Sequence, residues 1–184
     1  MSKKSKIASS NIFNIIILSF SLLFITSSCG VYSFSGANIP PEIKSLTVMN
    51  IYNNAGSGPA NLAQQLTQDL KDYFQQNTNL NLINTGGDLV FDGSIEGYVT
   101  TPVAPTVSSG TNTYPTTSKT RLTITVKINY TNTKDEKANY EESFVQYEDF
   151  DEATQSLTSV ENELIEKINE KLVFDIFNKT FSNW

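Results

Sequence analysis

The chain has 184 residues, 13 basic and 19 acidic side chains for a formal charge of −6, a single cysteine and no histidine. The missing histidine removes the commonest general base and transition-metal ligand, so Ser-His-Asp and Cys-His chemistry and zinc sites built on His or Cys are excluded. The acidic balance argues against nucleic acid, which wants a basic stripe.

The N-terminus is built like a secretory signal. Lys3, Lys4 and Lys6 precede a nearly all-apolar run from Ile12 to Ile25, which ends in Thr26-Ser27-Ser28-Cys29-Gly30. The run is short for a permanent span, since about 20 residues cross a ~30 Å hydrocarbon core. Small residues before the sole cysteine are similar to a bacterial lipobox, with Thr26 where leucine is usual. The expectation is cleavage after Ser28 (residues 1–28 removed) and a covalent N-acyl diacylglycerol on Cys29, with no other cofactor. Each buried CH₂ contributes about 0.8 kcal/mol, so two or three acyl chains hold firmly where one holds marginally. By resemblance to lipoprotein sorting, the absence of acidic residues just after Cys29 points to the outer membrane, facing the periplasm. Removal of residues 1–28 leaves 156 residues with ten basic and nineteen acidic side chains, a formal −9. That is enough for one domain, expected over 44–184 after a lipidated linker at 29–43.

Ser45 to Tyr52, with Leu46, Val48, Met49 and Ile51, reads as a first strand. Pro59 is placed to open a helix, and Leu62, Leu66, Leu70, Tyr73 and Phe74 recur at helical spacing down to Asn77. Leu80 to Ile83 is a short strand, and Gly86-Gly87-Asp88 a turn. A clean alternation follows, with Leu89, Phe91, Gly93, Ile95, Gly97 and Val99 expected on the core side. Thr101 to Ser118, rich in Thr, Ser and Pro, has no period and is expected to be a long loop. Arg121 to Thr131 alternates again, with Leu122, Ile124, Val126, Ile128 and Tyr130 inward, and a polar turn returns the chain into Asn139 to Tyr147. Glu148-Asp149-Phe150-Asp151-Glu152 lacks the turn glycine of a calcium loop and reads as a solvated acidic turn; no metal site is expected there. A carboxylate-only hydrolase using Asp149 and Asp151 is the one enzymatic form the composition leaves open. Thr158 and Glu161 at capping-box spacing mark a last helix, whose stripe is Val160, Leu164, Ile165, Ile168, Leu172 and Ile176, with Glu163 and Lys167 as an i,i+4 pair. The order predicts an α+β two-layer sandwich, two helices on one face of a four- to five-stranded mixed sheet.

Taken as an ordered set, Cys29-Gly30-Val31-Tyr32-Ser33-Phe34-Ser35-Gly36, Ile39 to Lys44, Asn79-Leu80-Asn81-Leu82, Gly87-Asp88-Leu89, Phe91 to Ile95 and Arg121 to Val126 resemble the LptE family of lipopolysaccharide-assembly lipoproteins in its Bacteroidetes form. The resemblance covers nearly all of the chain after Cys29 and implies a non-enzymatic role: a plug in the lumen of an LptD-type outer-membrane β-barrel that helps the barrel assemble and assists lipopolysaccharide into the outer leaflet. A fixed cation pairs well with phosphate oxygens, so Lys119, Arg121 and Lys127, on or beside the wet face of one strand, are candidates for lipid A phosphate contacts. An ordinary solvated strand face explains them equally well. The charge of −9 suits plugging by shape better than general lipopolysaccharide binding. The alternative is a periplasmic adaptor or activator lipoprotein with a fold like the TolB N-terminal domain.

Overall fold

The computed structural model describes residues 39–103 and 119–181. Cys29, the linker up to residue 38 and most of the expected loop lie outside the described residues. Strands run over Ser45–Val48 (β1), Tyr52–Asn53 (β2), Asn81–Leu82 (β3), Leu89–Val103 (β4), Lys119–Asn132 (β5) and Tyr140–Asp151 (β6), with helices over Leu62–Asn77 (α1) and Leu157–Phe181 (α2). The six strand segments fill five positions, β3-β1-β4-β5-β6, because β1 and β2 follow one another along the same edge of β4. β1 is parallel to β3, and both β1 and β2 are parallel to β4. β4, β5 and β6 make an antiparallel meander. This is the two-layer α+β sandwich the periodicities predict.

The period-2 and period-3.6 patterns meet in one core. Leu122, Ile124, Val126, Ile128 and Tyr130 of β5 are all buried, as expected, against Leu164, Ile165, Ile168, Leu172 and Ile176 of α2 and Leu62, Leu66, Leu70 and Phe74 of α1. Each such aliphatic side chain is worth about 1.5–3 kcal/mol relative to leaving it in water. At the rim, α2 is tied to the edge strand by a row of polar contacts four residues apart on the helix. Lys171 pairs with Glu148 at 2.5 Å, Asp175 accepts from Gln146 at 2.5 Å, and Lys179 pairs with Glu142 at 2.6 Å. Such surface pairs add about 0.2–1 kcal/mol each.

Several local expectations are corrected. The strand expected over 45–52 is broken: from Val48 to Tyr52 the chain takes four steps where β4 takes three from Phe91 to Ser94, so one residue is extra. Met49 turns outward, 46% exposed, while Ile51 stays buried and its N–H donates to Thr67 Oγ1 of α1 at 3.0 Å, replacing the lost ladder partner. α1 begins at Leu62, not Pro59, whose carbonyl instead accepts from Leu62 N in a preceding turn. The two hairpin arms run further than expected: Thr101, Pro102 and Val103 pair with Arg121, Thr120 and Lys119. β6 likewise continues to Asp151 and absorbs most of the acidic cluster into a strand.

A further correction concerns side-chain direction. Ile95 pairs with Val126 but Gly97 pairs with Thr125, so Glu96 is an extra residue in β4. A bulge of one residue reverses the alternation beyond it. Val99, expected inward, is 52% exposed, and Tyr98 turns toward the helices opposite Ile124. Glu96 is held by the Ser94 hydroxyl at 2.5 Å and the Asn54 amide at 3.3 Å. Tyr98 donates to Glu161 Oε1 at 2.5 Å, which takes Glu161 out of the expected capping box; α2 starts at Leu157. Burial, then the Glu161 carboxylate, pushes the Tyr98 phenol well above its usual range.

The turn at Gly86-Gly87-Asp88 joins three strands. Gly86 takes φ +75°, and a Cβ on Gly87 would stand 2.8 Å from Thr47 N, so neither position accommodates a side chain easily. Asp88 Oδ2 accepts from Lys44 N at 2.9 Å, Ser45 N at 3.1 Å and Ser45 Oγ at 2.9 Å, and its Oδ1 pairs with Lys134 at 3.0 Å. The Asp88 carbonyl accepts from Thr133 N at 2.9 Å. The Lys44 amide, followed by Lys134 and Ser45, holds the carboxyl far below the usual carboxylate range. A group with a depressed folded pKa contributes stability that is complete above its unfolded value and is lost as pH falls toward the folded one. The urea midpoint is therefore expected to fall as pH drops below about 4, and Asp88→Asn should flatten that slope. Parallel pH profiles for the two proteins would reject the clamp.

Candidate functional site

β5 projects Lys119, Arg121, Thr123, Thr125, Lys127 and Asn129 to the side of the sheet away from the helices, so all three cations chosen from sequence share the open face. They do not converge, since Arg121 and Lys127 are six residues, or about 20 Å, apart along the strand. Each of those two has a carboxylate. Arg121 lies opposite Asp149 in the register and forms a bidentate pair with it, Nε to Oδ1 at 2.7 Å and Nη2 to Oδ2 at 3.0 Å. Its guanidinium also stacks 3.6 Å above the Tyr147 ring, a favourable cation–π geometry. The hydrogen bonds push Arg121 up and hold Asp149 below the usual carboxylate range. Lys127 pairs with Glu141 at 2.6 Å, on the diagonal of the same face. Lys119, at the open end of the hairpin, is exposed.

Between the Glu96 bulge and the Arg121–Asp149 pair the same face carries an apolar patch. Val99, Thr123 and Tyr147 form one cross-strand row, and Gly97, Thr125 and Val145 the next. Val99, Val145 and Tyr147 are 52%, 53% and 44% exposed. Neighbouring apolar side chains left in water on a sheet face suit contact with another surface. At the other end of this face, the break between β1 and β2 opens a groove of about 840 Å³, lined by Met49, Tyr52 and Ile83 together with Asp92, Glu96 and Lys127. Its mixed lining gives no set of convergent charges.

The acidic cluster is structural in its contacts. Phe150 is buried, Glu148 pairs with Lys171, Asp149 with Arg121, and Glu152 accepts from Thr120 Oγ1 at 2.6 Å. Among the described residues no group of three or more Asp or Glu is arranged to hold a metal, and no helix is long and apolar enough to cross a membrane. Sequence reasoning missed Asn169, buried to 1% exposure within the apolar stripe of α2 and donating to Asp69 Oδ2 of α1 at 2.8 Å. Its polarity between Ile168 and Leu172 was the available signal.

The described residues thus define a two-layer α+β domain that presents a sheet face with an apolar patch, and two grooves. The chain belongs to the LptE family: the family model, described as LptE, lipopolysaccharide-assembly, matches residues 43–180. Its fold is similar to that of the hypothetical protein CT253 from Chlamydia trachomatis, with a TM-score of 0.50 at 9% identity over 76% of this chain and 99% of that one. Other similar structures are a minor lipoprotein from Acinetobacter baumannii (TM-score 0.46, 14% identity, 75% of this chain and 92% of that one) and the rare lipoprotein B from Shewanella oneidensis (0.41, 13%, 74% and 90%). No curated protein matches the chain in sequence.

Proposed function

We propose that this chain is an outer-membrane lipoprotein, tethered through acylated Cys29, whose folded domain seats in the lumen of an LptD-type β-barrel and helps lipopolysaccharide reach the outer leaflet. The observation that carries the reading is the family match, which runs from just before β1 almost to the end of α2. The role needs fit and no catalysis. A lipid anchor confines the domain to the membrane that holds the barrel and so raises its effective concentration there. The Val99, Val145 and Tyr147 patch supports contact between the sheet face and a protein wall. Of the three cations, Lys119 is the freest to meet a lipid A phosphate, because Arg121 and Lys127 would first have to leave Asp149 and Glu141.

Purification from detergent-solubilised membranes is expected to recover a stable complex with a large outer-membrane β-barrel. Recovery alone, or with a periplasmic enzyme, would overturn the plug and favour an adaptor role. Cys29→Ser should abolish incorporation of labelled fatty acid and mislocalise the protein with unchanged circular dichroism and melting; a variant that still incorporates the label would reject the acyl tether.

A further inference from the structure

The outward side of the helix layer, opposite the open sheet face, holds a groove of about 420 Å³ between α1 and α2. Asp69 and Asp72 of α1 and Glu166 and Glu170 of α2 surround it, and no basic residue lines it. The helix cations are engaged elsewhere: Lys167 with Glu163, Lys171 with Glu148, Lys179 with Glu142, while Lys71 lines the groove beside the β1–β2 break. Glu166 and Glu170 make no ion pair or hydrogen bond among the described residues. Phe174, in the same groove, is 52% exposed although apolar.

Asn169 supplies an independent sign that something is missing. It sits between Glu166, Glu170 and Val173 on α2, its amide nitrogen reaches Asp69 on the groove wall, and its Oδ1, buried, has no hydrogen-bond partner among the described residues. A buried acceptor without a donor is rare in folded proteins. Burial raises the Asp69 pKa, the Asn169 hydrogen bond opposes this, and Asp72, Glu166 and Glu170 add to the rise. The groove therefore lacks positive charge, and the unpaired Asn169 oxygen is buried beneath its α2 wall.

We propose that the α1–α2 groove docks an arginine-bearing amphipathic segment of a polypeptide partner, with the guanidinium on Asp69 and the Glu166 and Glu170 carboxylates and an adjacent apolar side chain on Phe174. A guanidinium carries five donors in a planar fork that can hold two of these carboxylates at once, which a lysine ammonium matches less well. A second copy of this chain is a poor occupant, since residues 29–184 carry a formal −9. The inference stands apart from the barrel reading, because it concerns the opposite face and is tested without lipopolysaccharide or barrel.

The test uses the full-length lipoprotein in neutral detergent and a fluorescein-labelled helical peptide of about 15 residues, long enough to form a helix in the bound state, with Arg and Leu at i,i+4 on one face. Fluorescence anisotropy is expected to show saturable binding that weakens about tenfold, the equivalent of one major contact, in the Asp69→Asn, Glu166→Gln, Glu170→Gln triple variant. Neutralising Glu42, Glu136 and Glu152 to Gln makes the same charge change outside the groove and should leave affinity within about twofold. If the triple variant melts early, the Glu166→Gln, Glu170→Gln double carries the comparison, because neither side chain makes an ion pair or hydrogen bond among the described residues. Equal weakening in the groove and control variants, or equal binding of a peptide with Lys in place of Arg, would overturn the assignment. Displacement of the peptide by calcium at constant ionic strength would assign the groove to a cation and overturn it too.

Discussion

Phe74→Ala is expected to destabilise the fold by about 3–5 kcal/mol. Phe74 is fully buried on α1 and touches every layer of the core: Phe91 of β4 at 4.7 Å between ring centroids, Phe177 at 6.0 Å and Phe181 at 5.9 Å on α2. Phe91 passes the contact on to Tyr130 of β5 at 5.0 Å. Truncation removes the transfer energy of the ring and leaves a cavity that two helices and a sheet, all pinned by other contacts, close only in part. Aromatic pairs add about 0.5–1.5 kcal/mol beyond their area, and the hub loses three of them at once. Against a net stability of about 5–15 kcal/mol for a domain, the loss is a large fraction. The measurement is the urea midpoint at unchanged slope; a fall worth under about 1 kcal/mol would show that α2 collapses onto β4 unaided.

Gly93→Val should cost about 3 kcal/mol by a different route. A Cβ at Gly93 would stand 2.2 Å from the Lys127 carbonyl oxygen and 3.1 Å from Ile128 Cδ1, and the nearest obstacle is backbone of the neighbouring strand, which cannot rotate away. β4 and β5 form the longest strand pair of the sheet, so the substitution forces them apart where the core is thickest. At about 2–4 °C per kcal/mol for a chain of this size, the melting temperature should fall by about 6–12 °C. Gly97→Ala is the control, because its nearest contact, Thr125 Cβ at 3.3 Å, has to give by only a few tenths of an ångström. Melting of the Gly93 variant within about 1 °C of the parent would sink the steric argument.

Both positions were visible in sequence as residue types, but only one as a role. Phe74 falls on the helical stripe with Leu62, Leu66 and Leu70, and its burial follows from spacing alone. Gly93 falls on the inward side of an alternation, where it looks like a weak core residue; that a carbonyl of β5 occupies its place depends on the pairing register. Arg121 is a similar case. Alternation put it on the wet face, and the pairing of β5 with β6 put Asp149 and Tyr147 against it, which turns a candidate phosphate ligand into a neutralised pair.

The sequence by itself determined the sandwich, the inward set of β5, the stripes of both helices and the family resemblance, because periods of 2 and 3.6 are local and need only neighbouring residues to be read. Tertiary structure alone decided what one extra residue does to a strand and who meets whom across it. The bulge at Glu96 reversed Tyr98 and Val99, and contacts spanning 28, 63 and 100 residues joined Arg121 to Asp149, Tyr98 to Glu161 and Asn169 to Asp69. Such pairings arise from register and helix placement, which the whole core sets together, and the acidic groove between the helices exists only once α1 and α2 are laid side by side on the sheet.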